Sequence, residues 1–296
     1  MISVVIPAHN EAAVIGRSLA ALLTGAVPGE LDIIVVCNGC SDETASVARQ
    51  FGAPVSVVET SVASKIHALN LGDREASSFP RVYLDADVIL PLDSLRRVAE
   101  PLHNGVALAA GPVPHFETAN CSWAVRAFYR INELLPSSRE GIGGSGAYAM
   151  SAAGRNRFAE FPDVIGDDGF ARLLFSPAER VAVAGAICTV FAPRTLQSLI
   201  AIKTRSHLGN YQLAQRFPEL QINRPKANKK ALPKLFLSPR LWPALAVYSY
   251  VKFQARRRAR QNLAALGHKR WTWIRDDTSR DPDPQQKLQA SIQHVG

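Results

Sequence analysis

The stretch ISVVIPAHNEAAVIGRSLAALL, residues 2–23, decides how the rest of the chain is read. Within it SVVIPA is an almost unbroken apolar run of strand length, as expected of a strand buried on both faces of a sheet covered by helices. Behind it Val14, Ile15, Leu19, Leu22 and Leu23 recur at helical spacing, and Asn10 stands where a cap would open that helix. The pattern then repeats. DIIVVC (32–37) predicts a second strand, and Ser41 or Asp42 a cap for a helix through SVARQF. VSVVE predicts a third strand, KIHALNLG lies on the next helix, and RVYLDADVIL (81–90) predicts a fourth strand. This alternation predicts an α/β fold: a doubly wound, mostly parallel sheet with helices on both faces.

After Pro91 the pattern loosens into a helix near 93–102, a strand VALAAGPV, a helix around 121–134, a Gly-rich bend GIGGSGAYAMS and an acidic turn VIGDDGFARLLF. VAVAGAICTVF (181–191) closes the globular part. From 193 onward Pro, Lys and Arg predict basic helices and linkers, then a frayed polar tail DDTSRDPDPQQ. The expected division is a catalytic domain over 1–205 and a basic helical extension over 206–296.

At 296 residues, 47% hydrophobic and 20% charged, the chain has ordinary globular composition, which sets aside wholesale disorder, collagen-like sequence and an all-membrane bundle. Four cysteines do not make a disulfide scaffold. The charge is unevenly spread. Residues 1–190 carry 14 Lys and Arg against 20 Asp and Glu, net −6, whereas 191–296 carry 20 against 5, net +15. A basic rear segment suggests an anionic partner. No apolar run approaches the ~20 residues needed to span a bilayer. The segment LWPALAVYSYVKFQARRRARQNLAALGHKRWTW joins aromatic residues to a cationic cluster at 256–260, so it reads either as an interfacial helix on an anionic membrane surface or as a basic helix packed on the catalytic domain. The N-terminus has no basic leader, so the expectation is a cytoplasmic protein, peripheral on the inner face of the membrane if that helix attaches.

In RVYLDADVIL, period-two geometry puts Asp85 and Asp87 on one side of the strand with Ala86 between them pointing away. Two carboxylates in so small a space need either water or a cation. Oxygen donors of this kind favour magnesium or manganese, whose shells are completed by water and substrate phosphates. Cys37 and Cys40 form a C-x-x-C without two further ligands nearby, and read as core or turn packing. The glycines at 141, 143, 144 and 146 lack the Lys-Ser/Thr of a phosphate-binding P-loop and mark a bend.

Five strings in order, VVIPAHNEAAVIGRSL, VVCNGCSDETASVA, KIHALNLG, LDAD and GDDGFAR, resemble the family 2 glycosyltransferases, inverting enzymes of the GT-A fold that use sugar nucleotides. The resemblance covers about residues 2–210. It implies that Pro7, Ala8, Asn10 and Glu11 line a nucleoside pocket at the carboxyl edge of the first strand. It also implies that Asp85 and Asp87 hold the divalent metal and the donor diphosphate, that Lys65 adds positive charge, and that Asp168 is the catalytic base. Each has a plainer reading: helix capping for Asn10, Glu11 and the Asp167–Asp168 pair, a solvated face for Lys65. Where many members carry an Asp pair after the second strand, the first of which often reads the nucleobase, this chain has Cys37 and Asn38; Asn38 is a candidate donor-binding residue and the choice of nucleobase is open. The Gln-x-x-Arg-Trp string of processive synthases is absent; IKTRSHLGN offers Lys203 and Arg205 for the donor and His207 as a third metal ligand or as an exposed basic-segment histidine. The implied partners are a nucleoside-diphosphate sugar and a saccharide or lipid-linked acceptor in glycan or exopolysaccharide assembly, with no nucleic acid. Competing expectations are a sugar-nucleotide nucleotidyltransferase and a non-catalytic basic nucleic-acid or membrane binder. The first would carry a Gly-rich basic loop after strand one, which IPAHNEAAV lacks; the second leaves both acidic motifs idle.

Overall fold

The structure is a computed structural model that describes residues 1–136, 142–224 and 231–266. Gly141 of the glycine bend and the polar tail lie outside the described residues. The first half follows the expected alternation: β1 (Ile2–Ala8), α1 (Ile15–Leu23), β2 (Leu31–Asn38), α2 (Thr44–Arg49), β3 (Val55–Thr60), α3 (Lys65–Glu75), β4 (Arg81–Leu84) and α4 (Leu92–His103). β5 (Ala109–Glu117), α5 (Trp123–Glu133), β6 (Ala147–Met150), α6 (Ala152–Arg155), α7 (Asp167–Leu174) and β7 (Arg180–Phe191) complete the sheet layer. Three further helices follow: α8 (Leu196–Arg216), α9 (Leu232–Leu235) and α10 (Trp242–Leu266).

The seven strands lie in the order β3-β2-β1-β4-β6-β5-β7. β1 lies between β2 and β4 and parallel to both, whereas β6 runs antiparallel to both of its neighbours. Successive β1 residues serve opposite faces. Val4 and Ile6 join Ile15, Leu19 and Leu22 of α1 and Leu95 and Val98 of α4; Val5 joins Ile66 and Leu69 of α3 and Phe170 of α7. Burial on both faces is why the strand reads as an unbroken apolar run. A third cluster, at the β5 edge of the sheet, packs Phe128 and Ile131 of α5 with Phe116 of β5, Leu199 and Ile200 of α8 and Leu245, Tyr248 and Val251 of α10.

Four expectations need correction. Asn10 does not cap α1: the helix begins at Ile15 after a turn in which the Glu11 carbonyl accepts from the amides of Val14 and Ile15. Asn10 instead takes a left-handed φ of 56° and accepts the Ser41 amide proton at 2.7 Å, tying the loop after β1 to the loop after β2. Ser41 makes no cap either; Asp42 accepts the Thr44 amide at the start of α2. β4 ends at Leu84, not Leu90. The Val88 amide bonds back to the Asp85 carbonyl, so the two acids sit in a turn, and only Ile89 regains a bridge, to Thr189. Finally, α8 runs without a break across position 205/206, so the expected domain boundary falls inside a helix.

Candidate active site

The open edge of the sheet where β1, β2 and β4 end is where α/β sheets present loops to ligands. At this edge Pro7 and Ala8 close β1. The Ala8 carbonyl accepts from the Asn38 amide group at 2.8 Å and from the Cys40 thiol at 3.4 Å, while the Cys37 side chain is buried in the core. Asn38 therefore commits its donor to holding two strand ends together. All four cysteines are free. Glu11 is buried, and its amide donates to the Thr44 hydroxyl at 2.8 Å.

Asp85 leaves β4 with its amide bonded to the Gly146 carbonyl at 2.8 Å. Gly146 has φ +64°, and a Cβ there would stand 2.6 Å from a Val88 methyl and 3.0 Å from Asp85 Oδ2, so only glycine fits against the acid turn. From below, the buried Ser18 hydroxyl of α1 lies 2.7 Å from the Ala86 carbonyl and 2.9 Å from that of Val88, which fixes the turn to the helix under it.

The carboxylates are organised around one ammonium. Lys65, first residue of α3, lies 2.7 Å from Asp85 Oδ1 and 2.8 Å from Asp167 Oδ1. Burial alone would lower the Lys65 pKa; Asp167 and Asp85 outweigh it and raise it above the ordinary lysine value. Asp85 moves upward as well, first because it is buried and then because Asp167 and Asp87 repel its charge, with Lys65 opposing. Asp167 is 4% exposed and also accepts the Tyr148 hydroxyl at 3.1 Å. Asp168, next in the first turn of α7, points elsewhere: Oδ2 accepts the Gly144 amide at 2.6 Å and Oδ1 the Gly169 amide at 2.7 Å. The pair thus divides the work. Asp167 anchors Lys65, and Asp168 faces the glycine turn.

A cation that the sequence reading passed over completes the edge. Arg17 of α1 lies 3.9 Å above the Phe191 ring, and its Nε and Nη2 are buried without a hydrogen-bond partner among the described residues. Burial lowers its pKa, opposed by the charges of Asp87 and Glu11. Its only signal in the sequence is a lone basic position within an otherwise apolar helix. Tyr148, in the strand AYAM, gave none.

Hard carboxylate oxygens make Asp85 and Asp87 suitable donors for a divalent metal, and their mutual repulsion with Asp167 makes that edge attractive to one. No group of three or more His, Cys, Asp and Glu side chains is placed to hold a metal among the described residues. His207 is not brought to the two acids. It stacks on Tyr211 with centroids 6.4 Å apart, and burial together with Lys252, Arg256, Lys203 and Arg224 pushes it down to about 4. Lys203 lies over Phe128 and Tyr129, at the α5 side of α8, with Arg205 as a charged neighbour. Farther along α8, Gln212 accepts the Ile165 amide at 2.8 Å, and a Cβ on Gly209 would lie 3.4 Å from the Gly166 amide. The helix therefore rests on the backbone that leads into Asp167 and Asp168. Two open clefts, of about 760 and 580 Å³, are lined by Met1, Glu30 and Arg96 and by Asp73, Arg81 and Arg155; they lie at the opposite, amino edge of the sheet.

Residues 3–160, which hold β1 to β6, Lys65 and the Asp85–Asp87 turn, match the model of the family described as glycosyl transferase family 2. The chain belongs to this family. A curated relative, 4,4'-diaponeurosporenoate glycosyltransferase of Staphylococcus aureus (strain USA300), is 38% identical over 91 residues, 29% of this chain and 24% of that protein. The chain thus spans about a quarter of the length of that relative. Among solved structures, the mannosyltransferase PcManGT from Pyrobaculum calidifontis, in complex with GDP-Man and Mn2+, aligns with a TM-score of 0.58 at 20% identity over 99% of this chain and 79% of its own. Glucosyl-3-phosphoglycerate synthase from Mycobacterium tuberculosis, with Mn2+, UDP-glucose and phosphoglyceric acid, gives 0.51 at 23% identity, covering 73% and 79%. TarS residues 1–349 of S. aureus with UDP gives 0.50 at 12%, covering 88% and 91%. These likenesses establish the GT-A type of fold for this family 2 chain, and the structure adds the helices α8 to α10 behind it.

Proposed function

We propose that the chain is an inverting glycosyltransferase that moves a sugar from a nucleoside diphosphate to a hydroxyl of a saccharide or lipid-linked acceptor. The observation that carries this reading is the set of carboxylates at the carboxyl edge of β1 and β4, gathered by Lys65, with Asp168 beside it facing the glycine turn. Family membership supports it. The fold relatives hold both guanosine and uridine donors, so the nucleobase is left open.

In this mechanism Pro7, Ala8, Asn10 and Glu11 form the nucleoside side of the cleft, and Asp168 accepts the proton of the attacking hydroxyl. The Gly144 amide holds the Asp168 carboxylate at a fixed bearing. Lys65 favours the ionised form of Asp85 against the pull of burial and leaves its other oxygen toward the turn. A divalent ion, manganese or magnesium, held by Asp85 and Asp87 would neutralise charge on the departing diphosphate. Arg17 sits by Asp87 as a further positive charge for that group.

The outer face of α10 exposes Trp242, Tyr250 and Phe253 together with Arg257 and Arg260, and the preceding turn exposes Phe236 and Leu237. Apolar anchors beside cations suit an anionic membrane surface, which would bring the enzyme to a lipid-linked acceptor at the cytoplasmic face.

A panel of UDP, GDP and dTDP sugars, each with manganese or magnesium, tests the proposal through nucleotide release and thermal stabilisation. One donor should raise the melting temperature and be turned over only with metal. Undiminished turnover after complete chelation would remove the metal from the reading, and silence across the panel would remove the activity.

A further inference from the structure

Helices α8 and α10 pack against each other over α5 along a seam lined by charge of one sign. α8 contributes Lys203 and His207, four residues apart, and α10 contributes Lys252 and Arg256, at the same spacing. Side chains so spaced share one face of a helix. Each helix therefore offers a basic pair where facing helices ordinarily exchange opposite charges. Arg205 and Arg224 stand close by on the same segment of chain.

Among the described residues the ammonium groups lie over rings, with no salt bridge to a carboxylate. Lys203 Nζ is 5.5 Å from the Phe128 centroid and 5.6 Å from that of Tyr129, and Lys252 Nζ is 5.7 Å from that of Tyr248. Burial first, then neighbouring cations, pushes Lys203 down to about 7 and Lys252 to about 8. Every charged group that shifts Lys203, Lys252 or His207 is itself basic. Lys203, His207 and Lys252 are half-buried and Arg256 is exposed, and like charges gathered in this way are stabilised when an anion sits between them. Aromatic walls hold the cations in place for it.

We propose that the seam between α8 and α10 is a phosphate-binding site, whose ligand is the phosphate of the acceptor or of an anionic lipid headgroup. Its position fits. Lys203 precedes Gly209, which touches the Gly166 backbone, by six residues, about 9 Å along the helix axis. A phosphate in the seam thus lies within one small molecule's length of the segment that carries Asp168. The link to an acceptor rests on the glycosyltransferase reading; the phosphate site itself does not.

The test uses the full chain in EDTA without sugar nucleotide, so failed transfer and a failed phosphate site are separate results. Melting temperatures are compared in chloride, inorganic phosphate and pyrophosphate at matched ionic strength for the native chain, the Lys252→Gln/Arg256→Gln variant and Asp87→Asn. The native chain and Asp87→Asn should gain stability with pyrophosphate. The double variant should melt no lower than the native chain in chloride and bind pyrophosphate at least about tenfold more weakly. Equal responses in native chain and double variant, or loss of the response in Asp87→Asn alone, would overturn the site. Should the double variant not fold, phosphate protection of Lys203 and Lys252 from reductive methylation, read against the exposed Lys234, decides in the native chain. Vesicles of phosphatidylcholine with and without phosphatidic acid separate the sources. Binding that needs phosphatidic acid and falls in the double variant assigns the headgroup, whereas a response to soluble phosphate alone assigns the acceptor.

Discussion

Lys65 holds two carboxylates that would otherwise repel each other, and it does so at the first turn of a helix opened by the Ser64 side chain. Replacing it with methionine leaves Asp85 and the buried Asp167 facing one another. Because Asp85 reaches solvent, the expected loss is about 1 to 3 kcal/mol, short of what breaking a fully buried pair costs. Urea denaturation measures it, and an unchanged midpoint would mean the ammonium is merely decorative. Asp168→Asn keeps an oxygen for the Gly144 amide but cannot take a proton. Turnover should fall ~100- to 10,000-fold with donor affinity nearly intact. Initial rates and a donor titration check it; near-native turnover removes Asp168 from the chemistry. The strings around Asp85, Asp87, Asp168 and Lys65 stood out in the sequence because they carry the family pattern, and the roles given to these residues belong to the proposed function. Arg17, Tyr148 and the anchoring role of Asp167 were not legible there. Their partners are remote in sequence, and nothing local in an apolar helix or a four-residue strand says which way a polar group will face.

Elements explain why the acids stand where they do. β1 to β3 were readable because burial on both sheet faces leaves a continuous apolar run. The end of β4 was not: Ala86, Val88 and Leu90 stay buried in alternation past the last ladder bond, so the side-chain period outlives the strand. The turn is held by α1 instead. Ser18→Ala should leave the Ala86 and Val88 carbonyls short of a donor, at a cost of about 1 to 3 kcal/mol. On the proposed metal site, manganese should raise the melting temperature of the native chain more than that of the Ser18→Ala variant; an equal rise would mean α1 plays no part. Gly146→Ala, on the other side of the same turn, meets both a left-handed backbone and Val88. It should cost about 1 to 3 kcal/mol from backbone strain alone, visible as a lowered melting temperature.

At the scale of the whole molecule, the basic rear of the chain is not an appendage. Leu245, Tyr248 and Val251 of α10 complete the core that α5 and α8 begin. Deleting residues 242–296 should therefore cost stability comparable to the ~5 to 15 kcal/mol that keeps a domain folded, with aggregation or loss of a cooperative transition as the readout. Membrane attachment is better tested by Trp242→Ser/Phe253→Ser on the exposed face. This variant should keep its melting temperature and lose binding to anionic vesicles; equal binding would show the face to be idle. Composition revealed the charge of this segment, but only packing distinguishes its inner face from its outer one.

The contact between Gly209 and the Gly166 backbone has a mechanical consequence. Gly209 lets α8 approach the Ile165–Gly166 backbone directly, so a ligand seated between α8 and α10 would press on the same stretch of chain that leads into Asp168, and the two ends of α8 would report on each other.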